Sequence, residues 1–113
     1  MRQKEKDKIL QDLKEVVKKI LLNGFKNRMH RVVATVEQIQ ILNYEIVPDE
    51  DDRDLVLVHH LQIGARVFVV FSEDGKSSDN ILLKNRNPLR FRYNKEIDNY
   101  KLDEDSTEFY DAT

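Results

Sequence analysis

The stretch DLVLVHHLQIGARVFVVFSEDGKSSDN, residues 54–80, decides how the rest of the chain must fold. Its centre, Val67–Phe71, is an unbroken apolar run in a chain in which 35% of the residues are charged. A strand with one face in water alternates apolar and polar residues, so this run predicts a strand covered on both faces. We expect alternate residues to face a barrel interior, and Phe68 and Val70 to face a helix or a neighbouring chain.

Upstream of this stretch, residues 6–23 predict one amphipathic helix. Apolar residues from Ile9 to Leu21 recur at the helical period and form a single stripe, with most lysines lying off it. Asp7 is the expected N-cap or first-turn acid, and Gly24 stands where a glycine would end the helix. A stripe of this width predicts burial against a sheet or a partner.

The other periodic segments predict five short strands separated by polar turns. These strands are His30–Ile39, Ile41–Val47, Leu55–Val58, Ala65–Phe71 and Ile81–Lys84. His59–Ile63 is the expected connector, with Gly64 as a turn residue and Gly75 near the tip of a polar hairpin loop. The fold class is therefore α+β and mainly β, a small OB-like five-stranded barrel or curved sheet with the helix packed on it.

The chain is short enough for one domain, which we place at residues 1–95. Within it, Leu89–Tyr93 is expected to be an edge strand. Residues 96–113 carry seven acidic side chains and one basic side chain. We expect this segment to be an extended acidic C-terminal arm, or a short helix that orders on contact.

Charge is segregated along the sequence although the net charge is only −2. The balance is +6 over residues 1–34, −7 over 35–83, +5 over 84–95 and −6 over 96–113. Complementary blocks of this kind steer and orient association with neighbouring proteins. The absence of cysteine excludes disulfides and thiolate chemistry. No apolar run reaches the roughly 20 residues that span a bilayer, and none follows the charged N-terminus, so we expect a cytosolic protein without a signal peptide.

The histidines and carboxylates do not predict a metal site. His59 and His60 are adjacent, so in a strand they point to opposite faces, and His30 is distant in sequence. A cluster of acids follows the second predicted strand, namely Asp49, Glu50, Asp51, Asp52 and Asp54. A calcium loop of the EF-hand type needs glycine at its sixth position and glutamate at its twelfth, and Asp54 and His60 stand there. A solvated loop is the better interpretation.

The sequence likewise predicts no enzyme and no cofactor. Ser72-Glu73-Asp74-Gly75, with Ser77 and Ser78 nearby, lacks the GxSxG pattern and a histidine at a motif-like spacing. The phosphate-binding patterns GxxxxGK[ST] and GxGxxG are also absent from the sequence. We therefore interpret the serine-containing segment as the tip of a hairpin.

One segment has the composition of a nucleic-acid-binding surface. It interleaves basic and aromatic residues, namely Lys84, Arg86, Arg90, Phe91, Arg92, Tyr93 and Lys95. A cationic groove with stacking faces is what proteins use to bind single strands. The same alternation is typical of an edge strand with its aromatic residues packed inward, and a pI of about 5.9 favours that alternative or a protein-docking arm. The candidate partner-binding residues are Arg86, Arg90, Phe91, Arg92, Tyr93, Tyr100, Phe109 and Tyr110.

The middle of the chain resembles a module of small OB-like structural proteins of phage tails and phage-tail-like particles. The module is a strand, the spacing L-x-x-G-x-x-V, an apolar strand, a polar hairpin and a returning strand. Here its parts are Leu55–Val58, then Leu61, Gly64 and Val67, then Phe68–Phe71 and Ile81–Leu83. The order of elements agrees over about residues 9–84. The resemblance implies a non-enzymatic subunit of a baseplate or tail hub, where copies contact each other and the tail tube or spike.

We therefore expect a structural or assembly protein that acts through protein–protein contacts, as a homo-oligomer or particle component. It would be cytoplasmic during assembly and part of the virion or particle afterwards. One alternative is a single-stranded nucleic-acid-binding OB module that uses the basic and aromatic segment. Another is a small phage-encoded inhibitor of a host protein, because acidic arms can mimic nucleic acid.

Overall fold

The chain folds into an N-terminal helix and one antiparallel sheet of six strands. The structure, a computed structural model, describes residues 2–28, 32–49, 56–71, 77–103, 106 and 108–113. The elements are α1 (Gln3–Arg28), β1 (Val32–Pro48), β2 (Leu57–Phe71), β3 (Ser78–Asn85), β4 (Leu89–Asn94), β5 (Asn99–Leu102) and β6 (Phe109–Asp111). The predicted mainly β architecture with a leading helix is confirmed.

The helix is longer than predicted at both ends. It continues through Gly24 to Arg28, so the prediction that this glycine ends it is wrong. Phe25, one residue further on, packs against the core, and this contact offsets the roughly 1 kcal/mol that a glycine costs inside a helix. Asp7 is not an N-cap, because it lies one turn inside the helix, where its Oδ1 accepts a 2.8 Å hydrogen bond from Gln3 Nε2.

β1 joins two segments that the sequence predicted as separate strands. It runs unbroken through Gln40 and pairs with β2 along its whole length. Its register with β2 shifts between Val36 and Gln38 and again between Ile41 and Asn43. At each of these two β-bulges β1 has one extra residue relative to β2. The bulges lie where apolar and polar residues stop alternating, so the strand continues without a turn.

β2 is also continuous, so the predicted connector His59–Ile63 and the predicted turn at Gly64 are both wrong. Odd-numbered positions from His59 to Val69 are buried on one face of this strand. Gly64 lies inside the strand, where a Cβ would meet Leu42 Cδ1 and Leu82 Cδ1 at 3.8 Å. The glycine thus allows two leucine side chains to approach over the strand.

β2 organises the whole sheet because three strands pair with it. β1 lies along one edge, while β4 pairs with Val58–Leu61 and β3 pairs with Gly64–Val70 along the other. β5 then pairs with β4, and β6 with β3. β4 is therefore an inner strand, and the prediction that Leu89–Tyr93 forms an edge is wrong. The sheet is not closed, and a five-stranded barrel is not confirmed.

The C-terminal segment contributes to this sheet. Residues 99–102 form β5 and residues 109–111 form β6, where the sequence led us to expect an extended arm or a short helix. Both strands are short. β5 pairs with β4 in a hairpin across residues 95–98, and β6 pairs with β3, which is distant in sequence. The predicted hairpin tip at residues 72–75 lies outside the described residues.

One apolar core joins the helix to one face of the sheet. Leu13, Val17 and Leu21 of α1 are buried in the same cluster as Val67 and Val69. Alternation along β2 turns Phe68 and Val70 to the opposite face, and neither belongs to this cluster. Of the two alternatives for these residues, the helix is therefore wrong, and a neighbouring chain stays a prediction. We call the face that they occupy the outer face.

The side chain of Asn85 fills the gap along one edge of β2 between the part that pairs with β4 and the part that pairs with β3. Its side chain is buried, and Oδ1 accepts a 2.9 Å hydrogen bond from Ile63 N. Its Nδ2 donates to Leu61 O at 3.0 Å and to Asn87 O at 2.7 Å. The amide thereby supplies the partners that a backbone ladder would provide, which buried backbone groups require.

Candidate interaction surfaces

The basic and aromatic segment is divided between the two faces of the sheet. On β4, Phe91 is 0% exposed and belongs to the core, so it presents no ring on which a base could stack. Arg90 and Arg92 point to the other face, as the alternation of the strand requires. Lys84 lies on β3 opposite Gly64, and Lys95 lies in the turn between β4 and β5. The β4 arginines therefore do not share a face with the Phe91 ring.

Carboxylates of the same chain neutralise the two β4 arginines. Asp103 lies between them, 3.8 Å from Arg90 Nε and 3.5 Å from Arg92 Nε. Arg92 Nη1 also contacts Asp49 Oδ2 at 2.5 Å. The hydrogen bond to Asp49 is the main cause that raises the pKa of Arg92 above its ordinary value. These cations are consequently less available to an anionic ligand than the sequence suggested.

Arg86 and Tyr110 come together at the other end of the segment. Arg86 Nε lies 3.1 Å from Glu108 Oε1, and its guanidinium lies 5.1 Å from the centroid of the Tyr110 ring. Tyr110 is exposed, whereas the neighbouring Phe109 packs against the core. Of the predicted partner-binding residues, this pair alone combines an exposed ring with a basic side chain stacked on it among the described residues.

A cluster of aromatic rings on the helix side of the sheet was not predicted. His59 stacks on Tyr44 with centroids 5.9 Å apart, and its Nδ1 is hydrogen-bonded to Tyr44 Oη at 2.8 Å. The Tyr100 ring meets His59 edge-on at 5.1 Å and Tyr93 edge-on at 5.6 Å. Lys6 Nζ of the helix lies 5.9 Å from the centroid of Tyr44. The sequence analysis missed this cluster because it assigned His59 to a connector. As a strand residue two positions before Leu61, His59 would have been expected to face the core.

Burial keeps this cluster neutral near pH 7. It lowers the pKa of His59 below the ordinary value of 6.5, and it raises the pKa of Tyr44 to about 12, to which the nearby Tyr100 adds. The pKa of Tyr100 is also raised, mainly by burial and further by Asp12. Neutral rings that satisfy each other's hydrogen-bonding groups stabilise a fold.

The two adjacent histidines separate as predicted. His59 contacts Tyr44 on the helix side, and His60 lies on the outer face opposite Glu45. Within the described ranges no three His, Asp or Glu side chains are grouped so that they could hold a metal ion. Asp49 is ion-paired with Arg92. His30 and the other four carboxylates of the predicted acidic loop lie outside the described residues, as do Ser72, Glu73 and Asp74.

The outer face carries an apolar patch that the helix does not cover. Val33 pairs with Val70 across β1 and β2, and Phe68 lies two residues before Val70 on the same face. Leu42 and Leu82 continue the patch where their side chains approach Gly64. Val33 is 63% exposed and Leu42 is 46% exposed, while the other three are half-buried. We call these five residues (Val33, Leu42, Phe68, Val70 and Leu82) the outer patch.

No protein-family model, curated protein or solved structure matches this chain. In the described part of the chain, no helix combines the length and apolar character needed to cross a membrane. The resemblance to phage-tail proteins stays a prediction.

Proposed function

We propose that this chain is a non-enzymatic structural or assembly protein that acts by binding other protein subunits. The observation that carries this proposal is the outer patch. The core on the helix side is formed without these five side chains, so packing among the described residues does not explain their apolar character. Apolar side chains exposed together on one face commonly mark a protein–protein contact.

The open sheet adds a second surface of the same type. Among the described residues, no strand pairs with the edge of β1 that faces away from β2. Unpaired edges accept strands from other chains, but the two bulges near Glu37 and Leu42 interrupt the regular backbone pattern on which such pairing depends. The face of the sheet is therefore a better contact surface than its edge.

A phage tail or a related particle is the setting that the sequence resemblance suggests. In such a particle a small subunit is held between copies of itself and other components, and its work is done by contact surfaces. A mainly β domain with one face free of its own helix suits that role. The phage-tail setting is part of the proposal and rests on the sequence.

The proposal is tested by co-expression with the proteins encoded by adjacent genes, followed by size-exclusion chromatography with light scattering. We expect the chain to co-elute with at least one of them in a complex of defined mass. Elution of the chain apart from every such protein would contradict the proposal, as would particles that assemble normally in its absence.

The nucleic-acid alternative is less well supported than the assembly proposal. Its best aromatic, Phe91, is buried, and Arg90 and Arg92 are paired with carboxylates. Fluorescence anisotropy with a labelled single-stranded oligonucleotide at low salt tests it directly. Tight binding that weakens steeply as salt is added would favour this alternative over the assembly proposal. The inhibitor alternative loses support in the same way, because Asp103 and Glu108 of the acidic segment are engaged within the chain.

A further inference from the structure

The geometry points to a second copy of this chain as the partner of the outer patch, in a symmetric dimer that packs sheet against sheet. This inference rests on the proposed function, because it names one of the subunits that the chain would bind. Two sheet faces pack about 10 Å apart when apolar side chains from both fill the space between them. The outer patch offers Phe68, Val70 and Leu82 for the centre of such a layer, with the exposed Val33 and Leu42 at its ends.

Two of the charged residues beside the patch, one cation and one carboxylate, favour a second copy as the partner. Lys84, opposite Gly64, is a further cation on the same face. Arg66 lies on the outer face between Phe68 and Gly64, and Glu37 lies at the first bulge of β1, next to the register partner of Arg66. Both are exposed, and neither forms an ion pair with any described residue. A twofold axis gives each copy one cation and one carboxylate to offer, so Arg66 of each copy can meet Glu37 of the other.

The area of the outer patch determines how tightly two copies should bind each other. β1 advances about 30 Å from Val33 to Leu42 at roughly 3.3 Å per residue, and three strands are about 15 Å wide. Two copies would then bury about 900 Å² in total, which is typical of weak contacts. We therefore expect a dimer that forms at micromolar or higher concentration.

Sedimentation equilibrium of the wild-type chain over low micromolar to submillimolar concentrations tests the dimer. The expected mass rises from 13.4 kDa toward twice that value. Val33→Asp should keep the chain monomeric over the same range. Ile97→Asp is the matched control, because Ile97 is similarly exposed at 58% but lies in the turn between β4 and β5. The control should dimerise like the wild type, and circular dichroism checks that both variants are folded.

Charge reversal tests the symmetry of the contact. Arg66→Glu and Glu37→Arg should each weaken self-association, because each brings like charges together across the twofold axis. The chain that carries both changes should dimerise again. A mixture of the two single variants should form a heterodimer, which native mass spectrometry of the isotopically labelled mixture detects.

The inference is overturned if the wild-type chain keeps a mass of 13.4 kDa at every concentration. It is also overturned if Ile97→Asp abolishes the dimer as completely as Val33→Asp does. A monomer that co-elutes with another protein would remove the second copy as partner and leave the proposed function intact. A dimer that binds no other protein would support the inference while contradicting the wider role in a mixed assembly.

Discussion

Tyr44 Oη and His59 Nδ1 are hydrogen-bonded at 2.8 Å although they are not register partners. The residue opposite His59 on β1 is Ile46, and Tyr44 reaches the imidazole along the diagonal of the β1–β2 pair. This bond satisfies a nitrogen of a histidine that is almost fully buried. The bond therefore links β1 to a buried residue of β2. Its contribution to the free energy of unfolding can be measured.

Removing the Tyr44 hydroxyl should destabilise the protein. Tyr44→Phe keeps the ring but leaves Nδ1 of a buried histidine without its partner, so we expect a loss of about 1–2 kcal/mol in the free energy of unfolding. Urea denaturation followed by circular dichroism measures it. Tyr110→Phe is the control, since Tyr110 is exposed. Equal effects of the two substitutions would contradict a stabilising role for the bond.

Stability should fall when the solution becomes acidic because of His59. Burial lowers the pKa of His59 in the folded state below 6.5, so the unfolded chain binds a proton more readily than the folded chain. The contribution of neutral His59 to the free energy of unfolding is therefore fully present above pH 6.5. It is lost as the pH falls from there toward the pKa of His59 in the folded state. Urea midpoints measured above and below pH 6.5 should show this loss. His59→Gln should remove this part of the pH dependence, whereas His60→Gln should retain it.

Asn85→Ala should be among the more damaging single substitutions in the sheet. It removes an acceptor for Ile63 N and a donor to Leu61 O where both backbone groups are buried. Left unpaired, these groups should lower the free energy of unfolding by about 3 kcal/mol. Asn80→Ala on the same strand is the control, because Asn80 is exposed and its change should cost under about 0.5 kcal/mol. A small effect at Asn85 would mean that water replaces its amide.

Gly24→Ala should stabilise the protein. The position is helical and a Cβ there would meet no atom within 4 Å, so the substitution adds helix propensity without strain. We expect a gain of about 0.5–1 kcal/mol, seen as a higher midpoint of thermal unfolding. A loss of stability instead would indicate that the helix ends at Gly24, as the sequence alone suggested.

Phe91→Ala should lower the free energy of unfolding. The effect comes from the core and does not depend on any ligand. The ring is fully buried in the core, and its loss should cost about 3–5 kcal/mol. Tyr93→Ala, two residues along the same face of β4, removes an exposed ring and should cost far less. If both variants unfolded at the wild-type urea concentration, the placement of β4 within the sheet would be wrong.

The length of β2 was predictable from the sequence, although the histidines and the glycine obscured it. From Leu61 to Val67 every odd-numbered residue is apolar, and Gln62, Gly64 and Arg66 alternate with them. This pattern predicts a strand with one buried face, and it outweighs the usual tendency of a lone glycine to mark a turn. The two bulges of β1 could not be predicted, because they depend on its register against β2.

The candidate surfaces were predictable only where burial follows from alternation. The Arg-Phe-Arg-Tyr sequence itself suggested that Phe91 packs inward while its neighbours face outward. The pairing of Arg92 with Asp49 was not predictable, because it joins residues that are distant in sequence. The same holds for β6, whose few residues pair with β3. β5 instead pairs with β4, which directly precedes it, but its four residues are too few to show a clear alternation.

The position of β2 also determines how this protein can fold during synthesis. β1 pairs with one edge of β2, and β1 has already emerged from the ribosome when Phe71 emerges. The other edge waits for β3 and β4, and the side chain that joins them to β2 belongs to Asn85, the last residue of β3. Until then a nascent chain exposes the unpaired edge and the Phe68 face of β2 together. An unpaired edge and an apolar face that are exposed together favour aggregation during this interval.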